Sequence, residues 1–347
     1  MVGTTQNTHA GDGRGRLPLV VLGSVLLTFV LLGAPARAEP TSRAAAMRQA
    51  AATFLQRLDR AQRSQAVRRY DDAGRVRWSG FPGRRAGVAW RALSATQRGD
   101  ALTLLRTGLG ERGMKMFEGV RTIEGVLREI ESRSVRRNPD WRHPGLYHLA
   151  VFGSPTPGAT WAWRIEGHHV SWTFTIAAER VFVTPRFQGA NPAAVRAGPQ
   201  KGRRILGPEE DAARRFVLGL DEARRKRAIV SSRAAPMPNP SGNPDLTQAR
   251  RRGITAGELS QPQRALLLAL VDQWTSALHP ELARAVREEL EASKPERLTF
   301  AWMGGLEPSA ACFYRLHGDT LHLEYGRSGN HIHSIWRDPR GDFGTAR

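Results

Sequence analysis

Trp161-Ala162-Trp163-Arg164-Ile165-Glu166-Gly167-His168-His169-Val170-Ser171-Trp172-Thr173-Phe174-Thr175-Ile176 is the stretch on which the fold turns. Aromatic and β-branched residues crowd two short runs, 161–165 and 170–176, on either side of a Gly-His-His corner, which reads as a hairpin. Side chains alternate along a strand, so Val170, Trp172 and Phe174 share one face and His169, Ser171 and Thr173 the other. Two further runs, 147–152 and 181–185, read as strands flanking this hairpin.

Upstream the period changes to that of helices. Met47, Ala51, Phe54, Leu58 and Ala61 recur every three or four residues. Ser94 and Gln97 form a capping-box signature ahead of Leu102, Leu105 and Leu109. A helix over 115–132 would turn Ile123, Val126, Leu127 and Ile130 inward. Residues 78–90 are irregular, broken by Gly80, Pro82, Gly83 and Gly87. Helices followed by hairpins predict an α+β fold, with helices packed on an antiparallel, hairpin-built sheet.

The layout then recurs. Pro208, Glu209 and Glu210 open a helix, with its acids in the first turn where the dipole favours them. Leu259-Ser260-x-x-Gln263-Arg264 echoes Leu93-Ser94-x-x-Gln97-Arg98. Tyr314-Arg315-Leu316-His317-Gly318 echoes Trp163-Arg164-Ile165-Glu166-Gly167, and an alternating strand follows each. The two echoes suggest two related helix-then-hairpin halves, although two amphipathic helices also resemble each other by chance. The expected organisation is a first half over 39–232, a Pro-rich linker or long loop over 233–248, and a second half over 249–347 forming one compact unit with the first.

Residues 1–38 read as an export signal. Arg14 and Arg16 precede an apolar run, and Ala36-Arg37-Ala38 is a small-residue cleavage site. Export to the periplasm or medium is therefore expected, with an uncleaved membrane anchor as the alternative. No later stretch is apolar enough to span. Cleavage lowers the net charge from +20 to +18, a basicity that would attract anionic ligands. Yet 48 of the 52 basic residues are arginine, a skew that genomic base composition can produce, and they are spread along helices. Only 224–227 and 250–252 are dense runs, which argues against nucleic acid as a partner. Cys312 stands alone, so no internal disulfide can form, and its apolar setting suits a buried thiol.

The chemistry-bearing candidates are histidines. His331-Ile332-His333-Ser334-Ile335-Trp336 follows a turn after Leu321-His322-Leu323-Glu324-Tyr325. If Ile332 and Trp336 face the core, His331 and His333 aim two imidazoles at one point. Glu324 across the hairpin and His168 or His169 from the other half would complete a set for zinc, iron or copper. Arg164 or Arg337 could hold an anionic group of a small substrate, Asp338 could orient a ligand histidine, and Glu166 is a candidate acid or base. The plainer reading is a solvated strand face and two turn residues bonding their neighbours. His9, His143, His148, His279 and His317 read as structural or surface. No Gly-rich phosphate loop, G-x-S-x-G elbow or CxxC occurs, which argues against common nucleotide-binding, serine hydrolase and thiol redox classes.

Several motifs taken together resemble the domain-of-unknown-function family 3500. They are 163–171, Thr184-Pro185-x-Phe187-x-Gly189-Ala190-Asn191-Pro192, Asn330-His331-Ile332-His333-Ser334-x-Trp336-Arg337-Asp338, and Asp342-Phe343-Gly344. Phe152-Gly153-x-Pro155 and Pro82-x-x-Arg85-x-Gly87 add to the likeness, which spans roughly 45–344. The resemblance implies a bacterial, often exported protein and marks His168, His169, His331 and His333, but brings no chemistry. Its members usually continue past Asp-Phe-Gly to a His-Tyr pair, whereas this sequence ends at Arg347. The functional expectation is an exported, metal-dependent enzyme with a histidine-rich site on β-hairpins. The alternatives are a non-catalytic protein binding acidic or anionic cell-surface ligands, and metal-free acid–base catalysis by His169 with Glu166 or Glu324.

Overall fold

The computed structural model describes residues 42–132, 139–242, 244, 246 and 251–345. The expected export signal and part of 233–248 lie outside the described residues. The first pass of elements is α1 (Arg43–Arg57), α2 (Arg60–Ala66), β1 (Val67–Arg68), β2 (Val88–Ala89), α3 (Ala95–Gly108), α4 (Glu111–Ser132), β3 (His148–Phe152), β4 (Trp161–Gly167), β5 (Val170–Ala177), β6 (Arg180–Phe182) and β7 (Arg186–Ala190). The second is α5 (Gly207–Leu218), α6 (Glu222–Ala228), β8 (Ile229–Ser231), β9 (Ile254–Thr255), α7 (Gln261–Thr275), α8 (Pro280–Ala292), β10 (Thr299–Gly304), β11 (Cys312–His317), β12 (His322–Ser328) and β13 (His331–Arg337). Element for element the order recurs, β6 aside, and the second pass starts at α5, before the Pro-rich segment.

Local chemistry starts the matched helices alike. The Ser94 amide donates to Gln97 Oε1 at 2.8 Å and the Gln97 amide to Ser94 Oγ at 3.2 Å. Ser260 and Gln263 make the same reciprocal pair ahead of α7 at 3.1 and 3.5 Å. Such caps stabilise a helix start by ~1 kcal/mol.

The strands of the described residues join one sheet, whose main path runs β1-β3-β4-β5-β7-β13-β12-β11-β10-β8, with β2, β6 and β9 beside it. The order reads the same from either end. β1 lies parallel on β3 as β8 does on β10, β2 pairs β3 as β9 pairs β10, and the halves meet where β7 runs antiparallel to β13. Residues 40–347 form one compact unit. One face of the sheet carries the aromatic core under the helices, with Trp163 stacked on Phe174 at 4.3 Å and Tyr314 on Tyr325 at 5.0 Å.

The plainer reading, a solvated opposite face, does not hold: Ser171, Thr173 and His322 are buried. Two irregular segments cover it, the one between β1 and β2 and its counterpart between β8 and β9. They bridge each other at Ser79 and Ser241, and the Gly80 amide donates to Pro240 O at 2.6 Å. Two other expectations are corrected. The 181–185 strand ends at Phe182, and the chain then forms β7, the central strand of the sheet. Ile130 is exposed rather than inward, because α4 buries Glu124 and Leu127 and turns its last turn to solvent. Glu209 and Glu210 do stand in the first turn of α5 as expected, and they are also fully buried. Glu210 accepts from Arg214 (2.9 Å), Arg327 (2.8 Å) and the Tyr325 hydroxyl (3.0 Å). Among the described residues no helix is long and apolar enough to cross a membrane.

Candidate metal centre

The β4–β5 hairpin closes through two residues, His168 and His169, since Gly167 pairs with Val170. Such a corner needs a left-handed residue, and His169 takes that role with φ 62°. A side chain with a Cβ holds this backbone at a cost of ~1 kcal/mol or more, and the surroundings must enforce it. They do: the His169 amide donates to Gly80 O at 3.0 Å, and its carbonyl accepts from the Gly189 amide at 2.9 Å. The ring then passes over Gly189, where a Cβ would stand 2.6 Å from His169 Cδ2. Gly189 lies opposite His333 in the β7–β13 ladder. The seam between the halves therefore brings His169 to the start of β13.

His169 Nε2 lies 2.8 Å from His331 Nε2. The rings of His331 and His333 are 4.6 Å apart, and that of His169 is 4.9 Å from the first and 5.4 Å from the second. One nitrogen from each of the three falls within 4.8 Å of the others. His333 Nδ1 donates to Pro238 O at 3.1 Å, which leaves its Nε2 with a lone pair. Pro238 comes so near only because Gly326 lacks a Cβ, which would stand 2.8 Å from Met237 Cα and from Pro238 Cδ.

A second group shares His169. His168 stacks on it at 3.7 Å, and His168 Nδ1 donates to Glu124 Oε2 at 2.5 Å. Ligand atoms of Glu124, His168 and His169 also lie within 4.8 Å of one another. With Nδ1 given to Glu124, His168 Nε2 is left to accept from Arg142 at 3.1 Å, and Arg142 is itself held by Glu131 at 2.9 Å. The Tyr147 hydroxyl donates to His168 O at 3.0 Å and fixes the turn from below.

Burial keeps these rings neutral. It pulls His331 and His333 down to about 4, with the neighbouring imidazoles opposing a second charge, and takes His169 well below its ordinary value. Burial also lowers His168, against the opposing pull of Glu124. Neutral imidazoles are the form that binds metal ions.

The remaining candidates sit elsewhere. Glu324 accepts from Arg315 at 2.7–2.9 Å and lies 3.4 Å from His322; burial pushes its carboxyl up, but these partners outweigh it and hold it at about 2. It belongs to neither histidine group. Glu166 accepts from the Ser79 amide (2.7 Å) and is ion-paired with Arg164 (2.8 Å) and Arg85 (3.4 Å). Arg164 also donates to the carbonyls of Gly74 and Arg75, so this buried pair ties the covering segment to the sheet. Arg337 clamps Asp342 (2.8 Å) and Gly242 O (2.5 Å), and Asp338 is gripped by Arg340. The carboxylate that does reach the histidines, Glu124, was missed. Its sequence signal is an acid on the inward stripe of α4, between Val120 and Leu127.

Fold and site together define an α+β protein of two like-ordered halves, with a buried histidine group at their seam. The family described as "Protein of unknown function (DUF3500)" matches residues 40–345, and the chain belongs to it. No curated protein and no solved structure matches.

Proposed function

We propose that this is an exported metalloprotein in which His169, His331 and His333 hold one divalent ion of zinc, iron or copper. The carrying observation is the convergence of three imidazole nitrogens within 4.8 Å, one from the β4–β5 turn and two from β13 across the seam. Supporting it is the Pro238 carbonyl, which sets the His333 tautomer as partners of metal-bound histidines commonly do. Three nitrogen ligands suit these metals and leave a coordination position open for water or substrate. Bound there, the ion would supply Lewis acidity or an activated water. The chain's own contribution is the placing of the three rings, and beside them the His168–Glu124 pair to move a proton.

Metal analysis of the purified protein tests this, with His331→Ala/His333→Ala alongside and circular dichroism to verify folding. About one equivalent in the parent and a large loss in the folded variant is expected. Equal, negligible metal in both sinks the proposal. Export carries its own check: the mass of the protein recovered from the periplasm or medium should correspond to a chain beginning at Glu39.

A further inference from the structure

Beside the histidines, a cavity of about 740 Å³ opens to solvent, with His168 and Glu124 in its lining. That volume falls in the usual range of small-molecule sites, ~300–1,000 Å³. Its other walls are strongly basic. Arg68, Arg84, Arg85 and Arg91 line it, and Glu124 is the one carboxylate among the described lining residues. Glu124 is already engaged by His168. Arg85 is tied at 3.4 Å to Glu166, which Arg164 also neutralises, so these three carry a net positive charge. Arg68, Arg84 and Arg91 are exposed, and no carboxylate of the described residues pairs with them.

A further observation points to a ligand. At the rim, Trp141 is 65% exposed, with Phe81 at 52% nearby in sequence to the lining Pro82. Large exposed rings at a cavity mouth are a ready surface for stacking the apolar body of a ligand.

We infer that this cavity binds a small organic anion, a carboxylate or phosphate ester gripped by Arg84 and Arg91 and stacked on Trp141. The free end of the ligand points to His168. The direction of that free end rests on the metal reading above; the binding itself does not. Guanidinium groups match both kinds of oxyanion with paired hydrogen bonds.

Glucuronate, glucose 6-phosphate and glucose form a matched probe set, because only the anionic group differs. Each is titrated by calorimetry into chelator-treated protein at about 150 mM salt, where generic surface charge is screened. At least one anion should bind and glucose should not, and whichever anion prevails assigns carboxylate or phosphate. Arg84→Ala/Arg91→Ala should weaken binding about tenfold or more, and the distant exposed pair Arg106→Ala/Arg215→Ala should leave it unchanged. Binding of neither anion, equal binding of glucose, or equal weakening in both double variants overturns the inference. Since metal has been removed, anion binding without metal content would refute only the metal proposal, and metal content without anion binding only this one.

Discussion

Replacing Gly189 by alanine is the sharpest perturbation of the seam. A Cβ there would lie 2.6 Å from His169 Cδ2 and 2.7 Å from Ile332 O, and the second neighbour is backbone of the adjoining strand. Ordinary contact begins near 3.4 Å, so the imidazole must move by most of an ångström, or the two halves must separate locally. Overpacking of this kind costs ~1–3 kcal/mol. Coordination tolerates little error, since metal–nitrogen distances are fixed to about 0.2 Å, so metal affinity should fall on the order of 10–100-fold. Gly99, within α3, is the matched control: its Cβ would meet nothing within 4 Å, and alanine there should stabilise by ~0.5–1 kcal/mol. Urea denaturation and a competitive zinc titration measure both effects. A Gly189→Ala protein as stable as the parent, with undiminished zinc affinity, would refute the packing argument for how His169 is placed.

Acid should loosen the fold. Burial holds His148 and His317 at about 4 against an ordinary 6.5; they stay neutral in the folded chain while the unfolded chain takes up protons first. Their stabilisation is therefore complete above about pH 6.5 and is lost as pH falls towards 4, and a urea midpoint that stays flat across that window counts against it. Glu210→Ala strands Arg214 and Arg327 in the core and should cost ~3–5 kcal/mol in urea denaturation, whereas a loss under ~1 kcal/mol would contradict the buried network. Burial pushes the Cys312 thiol up to about 11, so a thiol-specific chromogenic reagent at about pH 8 should label it only after urea unfolding; rapid labelling of the native protein would place it at the surface.

What local patterns encode was legible. The Ser94–Gln97 and Ser260–Gln263 boxes formed as their spacing implies, and the repeated order of helices and hairpins extends further than the two short echoes suggested. The histidine pairs could be named because each sits in a hairpin whose alternation is strong. What depends on partners distant in the chain was not legible. β7 is hidden because Pro185 precedes it and Gly189 interrupts it, yet it pairs with both β5 and β13. A polar strand face looks the same in sequence whether water or another segment covers it, so the burial of Ser171 and Thr173 was invisible. Arg164, Glu166 and Glu324 have the residue types of a reactive site, and their nearest opposite charges absorb them. Glu124 arrives from a helix 44 residues upstream of His168, and only the packing of α4 on the sheet brings the two together.

The junction of β7 with β13 gives this constellation a mechanical property. One ring is supplied before the chain crosses from one half-sheet to the other, and two after it. An ion gripped by all three would act as a rivet across the crossing, and the free energy of gripping it would add to the cohesion of the whole molecule. Such a protein would announce the loss of its metal as a drop in melting temperature, whatever reaction it performs.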